Sequence, residues 1–167
     1  MVDEGRSARA VGALASLGEF RPTPYRRVLA GWIERPSAIR VIETWAADRT
    51  PFQAVARLIP LESTIEFERD DVTEALCCAL EDSGARVAGS TFHVRARLRG
   101  LKGRVETQAL ERAIGGFLLD RAAAAGDGAR IGFADPDIIV AVEVIGKRVG
   151  YGFLDRAVRA VPVVRPR

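Results

Sequence analysis

Residues 91–104 alternate in a way that points to an extended backbone. Phe92, Val94, Ala96 and Leu98 occupy even positions, and His93, Arg95, Arg97 and Arg99 occupy odd ones. Successive side chains of a strand point to opposite faces, so a strand sorts these residues into one apolar row and one cationic row. The apolar row is expected in a core and the cationic row against water or an anion. Gly100 and Gly103 then break the run and place Lys102 and Arg104 in a loop just past the strand end. No acidic residue occurs from Ser83 to Val105.

Two readings of the cationic row stand side by side. Charged side chains guard exposed edge strands against pairing with other chains, and such guards usually use Lys or mix signs. Arginine brings a planar fork that grips phosphate bidentately and stacks on bases. The chain contains two lysines, Lys102 and Lys147, so a general preference for Arg accounts equally well for the choice.

The net charge of +3 is modest, but its distribution is not even. Residues 62–82 carry eight acidic side chains against Arg69, and the next stretch carries basic ones alone. Such segregation predicts a dipolar surface with a localised positive field, which attracts a polyanion. With 167 residues and 48% hydrophobic content, the chain can bury a core as one domain or two small ones. The N-terminus is charged, and no apolar run approaches the roughly twenty residues of a membrane-spanning helix, so the expected location is cytoplasmic. Cys77 and Cys78 are neighbours in a helical pattern and diverge by about 100°, which prevents joint metal binding and predicts reduced thiols.

In chain order, Val11, Leu14 and Leu17 mark a first helix ending at Gly18, followed by a loop through Pro22 and Pro24. A strand is expected over residues 26–33, then a helix opened by Pro36 with Ile39, Ile42, Trp45 and Ala46 on one face, then a strand over residues 52–61. This α-β-α-β order is a ferredoxin-like set lacking its first strand. Asp70 and Asp71 can cap a helix carrying Val72, Ala75, Leu76, Ala79 and Leu80, which ends near Gly84. Thr107 can cap a longer one carrying Leu110, Ile114, Phe117 and Leu118; Gly115 and Gly116 inside it predict close approach of another backbone. The turn Asp135-Pro136-Asp137 leads into residues 138–145, an apolar run interrupted by Glu143 that fits a buried central strand. A tight turn at Gly146-Lys147-Arg148 makes a hairpin with residues 149–154. Residues 161–167 are expected to be loose.

Several of these motifs, in this order, resemble the THUMP domain, an RNA-binding module of tRNA-modifying enzymes. They are Phe92-His93-Val94-Arg95-Ala96-Arg97, then Leu110 followed by Ile114-Gly115-Gly116, then Asp135-Pro136-Asp137, then Val142-Glu143-Val144-Ile145-Gly146. Asp135 stands where that family usually has Asn, which keeps the capping chemistry of the turn. Upstream, Arg57-Leu58-Ile59-Pro60-Leu61-Glu62 resembles the linking strand of the THUMP tRNA acetylation adaptors. The resemblance implies an α+β chain: a truncated ferredoxin-like lobe over residues 1–61, a THUMP domain with a mixed sheet over residues 62–160, and the tail. It also implies a non-catalytic adaptor that holds tRNA for a separate acetyltransferase making 4-acetylcytidine.

The residues themselves offer little catalytic chemistry. His93 is the sole histidine and lies in the cationic row without an adjacent nucleophile. The glycines at 100, 103, 115 and 116 match no phosphate-loop spacing. Glu143, between apolar neighbours, is expected to pair with a nearby Arg. No catalytic residue, metal site or cofactor is therefore assigned. The expected RNA contacts are Arg95, Arg97, Arg99, Lys102 and Arg104, reinforced by Lys147 and Arg148 from the hairpin. Tyr151 is the best candidate for stacking on a base, and recognition of shape is expected over base readout. About five neutralised phosphates predict a log-log salt slope of roughly −3 to −5. The alternatives are an RNA-binding subunit of another split tRNA-modifying enzyme, acting in thiolation or methylation, and a small α+β ligand-binding or assembly module.

Overall fold

The computed structural model describes residues 4–15, 18–34, 54–68, 71–101 and 103–166. The chain divides into two units. One comprises Met1–Ile59 with Val158–Arg165, and the other Pro60–Ala157 with the last two residues.

In the first unit, α1 (Glu4–Leu14) buries Ala10 and Leu14, one turn apart on a single face. It ends earlier than the apolar spacing predicts, and Leu17 lies outside the described residues. The segment expected to be a loop through Pro22 instead forms β1 (Glu19–Pro22), which pairs antiparallel with β2 (Leu29–Trp32). Pro22 ends its strand, where a missing N–H is tolerated. The connection is held by Thr23, whose N–H and hydroxyl each donate to Val28 O at 3.0 Å. A Cβ at Gly31 would fall 2.3 Å from Phe20 Cδ1, so the Phe20 ring lies directly over that glycine.

The helix expected over residues 36–46 and the start of the strand expected over 52–61 lie outside the described residues. What is described of that strand is a parallel bridge between Leu58 and Val164, with Leu58 N–H donating to Val163 O at 2.9 Å. Residues 161–164 of the tail are not loose. Val161, Val163 and Val164 are buried, because three valines in four positions supply apolar surface that extended chain at Leu58 can pair with. Among the described residues, the first unit is thus one helix, one hairpin and this bridge.

The second unit is built on a five-stranded mixed sheet in the order β3-β7-β6-β4-β5. Its elements follow one another as β3 (Ser63–Glu66), α2 (Val72–Ala79), a 3₁₀ turn (Glu81–Ser83), α3 (Gly84–Val87), β4 (Thr91–Arg99), α4 (Thr107–Ala124), β5 (Arg130–Ile131), β6 (Ile138–Ile145) and β7 (Arg148–Asp155). A short helix, α5 (Arg156–Ala160), follows β7 directly. The apolar run Ile138–Ile145 takes the middle of the sheet, where both faces are covered. β4 runs parallel to it through the crossover helix α4, and β7 returns antiparallel through the turn at Gly146, whose φ of 63° suits glycine.

The even-numbered side chains of β4 and β6 enter the core with the helices. Phe92, Val140, Val142, Leu76, Leu80, Val87, Leu110, Ile114 and Leu118 are at most 1% exposed. Full burial of each such side chain contributes roughly 1.5–3 kcal/mol. Close helix contact occurs at a different glycine from the expected pair: a Cβ at Gly84 would lie 2.4 Å from Arg121 O, so the backbones of α3 and α4 nearly touch there. At Gly115 a Cβ would meet side chains at ordinary distance, and at Gly116 nothing within 4 Å. Asp71 and Glu106 hold the N-cap positions of α2 and α4 without side-chain capping bonds, so neither Asp71 nor Thr107 caps as expected. Among the described residues no helix is long and apolar enough to cross a membrane.

Candidate nucleic-acid interface

The odd-numbered side chains of β4 lie on the sheet face away from α4. Residues two apart on a strand are separated by about 6.6 Å, so a regular strand spaces its charges evenly. Arg95 and Arg97 are exposed and have no ion-pair partner among the described residues. Arg99 differs: its guanidinium donates to Glu143 of β6, and both side chains are 14% exposed. Glu143 therefore has the arginine partner expected of it. Arg104 lies exposed in the loop after β4, anchored by buried Leu101 and by its own N–H donating to Leu101 O at 3.0 Å. Lys102 falls outside the described residues.

The hairpin cations are engaged with the acidic segment. Arg148 donates twice to Glu66 Oε1, at 2.9 and 2.7 Å, and Lys147 Nζ lies 3.6 Å from Glu68. All four side chains are largely exposed, and such pairs are worth at most about 1 kcal/mol, so an anionic ligand can displace them. Arg86 forms a bidentate pair with Glu62 at 2.7 and 2.8 Å, which raises its pKa, and its guanidinium lies 4.4 Å from the centre of the Phe153 ring. Three of the acidic side chains of residues 62–82 are thus matched by Arg86, Lys147 and Arg148, which reduces the dipole expected from the linear order of charge.

His93 belongs to the cationic row by position and not by environment. It is 3% exposed, and its Nδ1–H donates to Gly132 O at 2.8 Å. The Phe133 ring stacks against the imidazole with centroids 5.6 Å apart and planes 30° from parallel, while Phe133 itself is 74% exposed. Arg130 of β5 sits opposite Thr91 in parallel register, which puts it on the same face as His93, Arg95 and Arg97. It is exposed and likewise has no ion-pair partner among the described residues.

The loop that carries Phe133 is fastened at its far end by a reciprocal clasp. Asp137 Oδ2 accepts from Thr91 N–H at 2.8 Å and from its hydroxyl at 2.6 Å, while Asp137 N–H donates back to Thr91 Oγ1 at 3.0 Å. The hydroxyl and then the amide of Thr91, with help from the Arg156 charge, hold the Asp137 carboxyl below its usual pKa. The open edge of β4 beyond β5 is closed by Glu111 of α4, whose Oε1 accepts from Ala96 N–H at 2.8 Å.

The structure thus brings Arg95 and Arg97 together with two residues that sequence reasoning missed, Arg130 and Phe133. Tyr151 does not join them: its hydroxyl donates to Ala79 O at 3.0 Å, which turns the ring toward the helices. A signal for Phe133 was present in the sequence, a lone aromatic between Gly132 and the Asp135-Pro136 turn with no apolar periodicity to draw it inward. Arg130 carried none, since its face depends on a two-residue pairing. Burial, more than Cys78 and Glu81, raises the pKa of the Cys77 thiol, and no group of three or more potential ligands among the described residues could hold a metal.

No family model and no curated protein matches the chain by sequence. Solved structures do match it by shape. PH1313 from Pyrococcus horikoshii aligns with 92% of this chain and 50% of its own, at 10% identity and a TM-score of 0.59. A 4-thiouridine synthetase solved as an RNA complex with bound ATP aligns with 90% of this chain and 35% of its own, at 11% identity and a TM-score of 0.52. The chain therefore spans about half the length of the first and a third of the second. Its mixed α+β architecture, with a five-stranded and a two-stranded sheet, is similar to that of THUMP-domain structures, a likeness of fold.

Proposed function

We propose that this chain is a non-catalytic tRNA-binding adaptor that presents tRNA to a separate acetyltransferase for 4-acetylcytidine formation. The observation that carries the binding half is the pair Arg95 and Arg97, exposed and without ion-pair partners among the described residues, on a strand held by β6 along its length. Two guanidiniums carried on a rigid strand meet a phosphate backbone without any ordering of the main chain, and Arg130 extends the same face. The RNA bound to the 4-thiouridine synthetase of like fold supports the choice of ligand. The acetylation half rests on the resemblance of residues 57–62 to the linking strand of the acetylation adaptors.

The experiment is a gel-shift titration of total tRNA with the wild-type chain and with Arg95→Glu/Arg97→Glu, with circular dichroism as the folding control. Loss of the shift by a folded variant is the expected result. A second reading, the RNA-binding subunit of a split thiolation enzyme, is favoured by the same fold likeness. Affinity capture separates the two. Co-purification of an RNA acetyltransferase supports the adaptor, and co-purification of a sulfur-transfer protein supports the alternative.

A further inference from the structure

We propose that Phe133 is a stacking platform for one unpaired base of an RNA whose backbone follows Arg130, Arg95 and Arg97. The inference rests on the RNA-binding reading above and adds to it a base contact that the arginine row does not provide.

Three observations combine. First, Phe133 is a large aromatic left 74% exposed, and its ring rests against the imidazole of a residue that is 3% exposed. The ring is thereby backed by the sheet and cannot turn inward, since His93 already fills that position. Second, His93 is fixed in turn by Gly132 O, and the loop ends in the Thr91–Asp137 clasp, so the platform sits in a fixed place over the strand. Third, the register sets the neighbours. Along this face Arg130 lies beside Thr91, Phe133 over His93, and Arg95 and Arg97 follow.

An exposed ring between cations is a poor seat for another protein's apolar core and a good one for a nucleotide. The charges take phosphates, and the ring takes the face of a base. A base inside a helix has no free face to offer, so the site requires a nucleotide outside a duplex. Stacking of this kind tolerates every base, so it selects single-stranded character without reading sequence.

The test uses two labelled RNA duplexes of equal length, one blunt-ended and one with a single-stranded tail containing 2-aminopurine, whose emission falls when it stacks. The wild-type chain is expected to favour the tailed duplex about 10-fold, as one stacked base would give, and to quench the probe. Phe133→Ala should lose both effects, and Phe133→Trp should restore them. If Phe133→Ala leaves the preference and the quenching unchanged, or if the wild-type chain binds both duplexes equally, the platform is overturned while RNA binding stands. Binding of neither duplex by the wild-type chain overturns RNA binding itself, and the platform with it.

Discussion

Arg99 donates to Glu143 across the β4–β6 boundary with both side chains 14% exposed, and this pairing divides the arginine row into a structural end and an open end. Arg99→Ala takes a charged hydrogen-bond donor away from a largely covered carboxylate and should destabilise the second unit by about 2 kcal/mol. Arg97→Ala, at an exposed site without an ion-pair partner among the described residues, should change stability by less than about 0.5 kcal/mol. Urea denaturation of the two variants checks this. Equal losses would mean the two arginines hold equivalent positions.

The open end should report itself through salt. Each phosphate neutralised on single-stranded or duplex RNA contributes about 0.7–0.9 to the log-log slope, so Arg95→Ala/Arg97→Ala should flatten it by roughly 1.4–1.8. Affinity measured from low to moderate salt gives the slope directly. A weaker variant with the parental slope would show that these side chains do not touch phosphate.

The Thr91–Asp137 clasp predicts acid sensitivity. The Asp137 carboxyl is held below its usual pKa, chiefly by the Thr91 hydroxyl and amide, so its contribution is complete above the unfolded-state value of about 3.9 and is lost as pH falls through the lower folded-state value. Denaturation midpoints taken from pH 6 downward should therefore drop on the acid side. Asp137→Asn should lower the midpoint at pH 6 and fall less steeply in acid. An identical acid limb in that variant would remove Asp137 from the account.

The two kinds of glycine in the helical layer should respond oppositely to alanine. At Gly84 the new Cβ would sit 2.4 Å from the Arg121 carbonyl oxygen, so α3 and α4 must separate at a cost of about 1–3 kcal/mol. At Gly116 it would meet nothing within 4 Å, and relief of glycine's conformational freedom in a helix should gain about 0.5–1 kcal/mol. Thermal unfolding of each variant decides.

Much of the second unit was legible because its elements are periodic. The alternation at Phe92–Leu98 and the apolar run at residues 138–145 gave β4 and β6 their positions and faces, and the helical stripe through Leu76 and Leu80 gave α2. Expectations failed where a partner distant in sequence decides. His93 alternates as a surface residue and is buried because Gly132 and Phe133 close over it. Tyr151, the expected stacking residue, points to Ala79, 72 positions away in sequence. β1 has one apolar residue, Phe20, and is set by the turn at Thr23 and the glycine opposite, which no local period announces. The row of four cationic positions became two open arginines for the same reason: Glu143 and the Gly132–Phe133 loop arrive from elsewhere in the chain.

The proposed binding of tRNA at Arg95 and Arg97 is tested by a salt-titrated binding assay comparing total tRNA with duplex RNA and duplex DNA of equal length. Preference for tRNA with a steep salt dependence, abolished by Arg95→Glu/Arg97→Glu, is the expected result. Equal weak binding to all three, unaltered by that substitution, would contradict it and leave the arginine row as a charged surface without a nucleic-acid ligand.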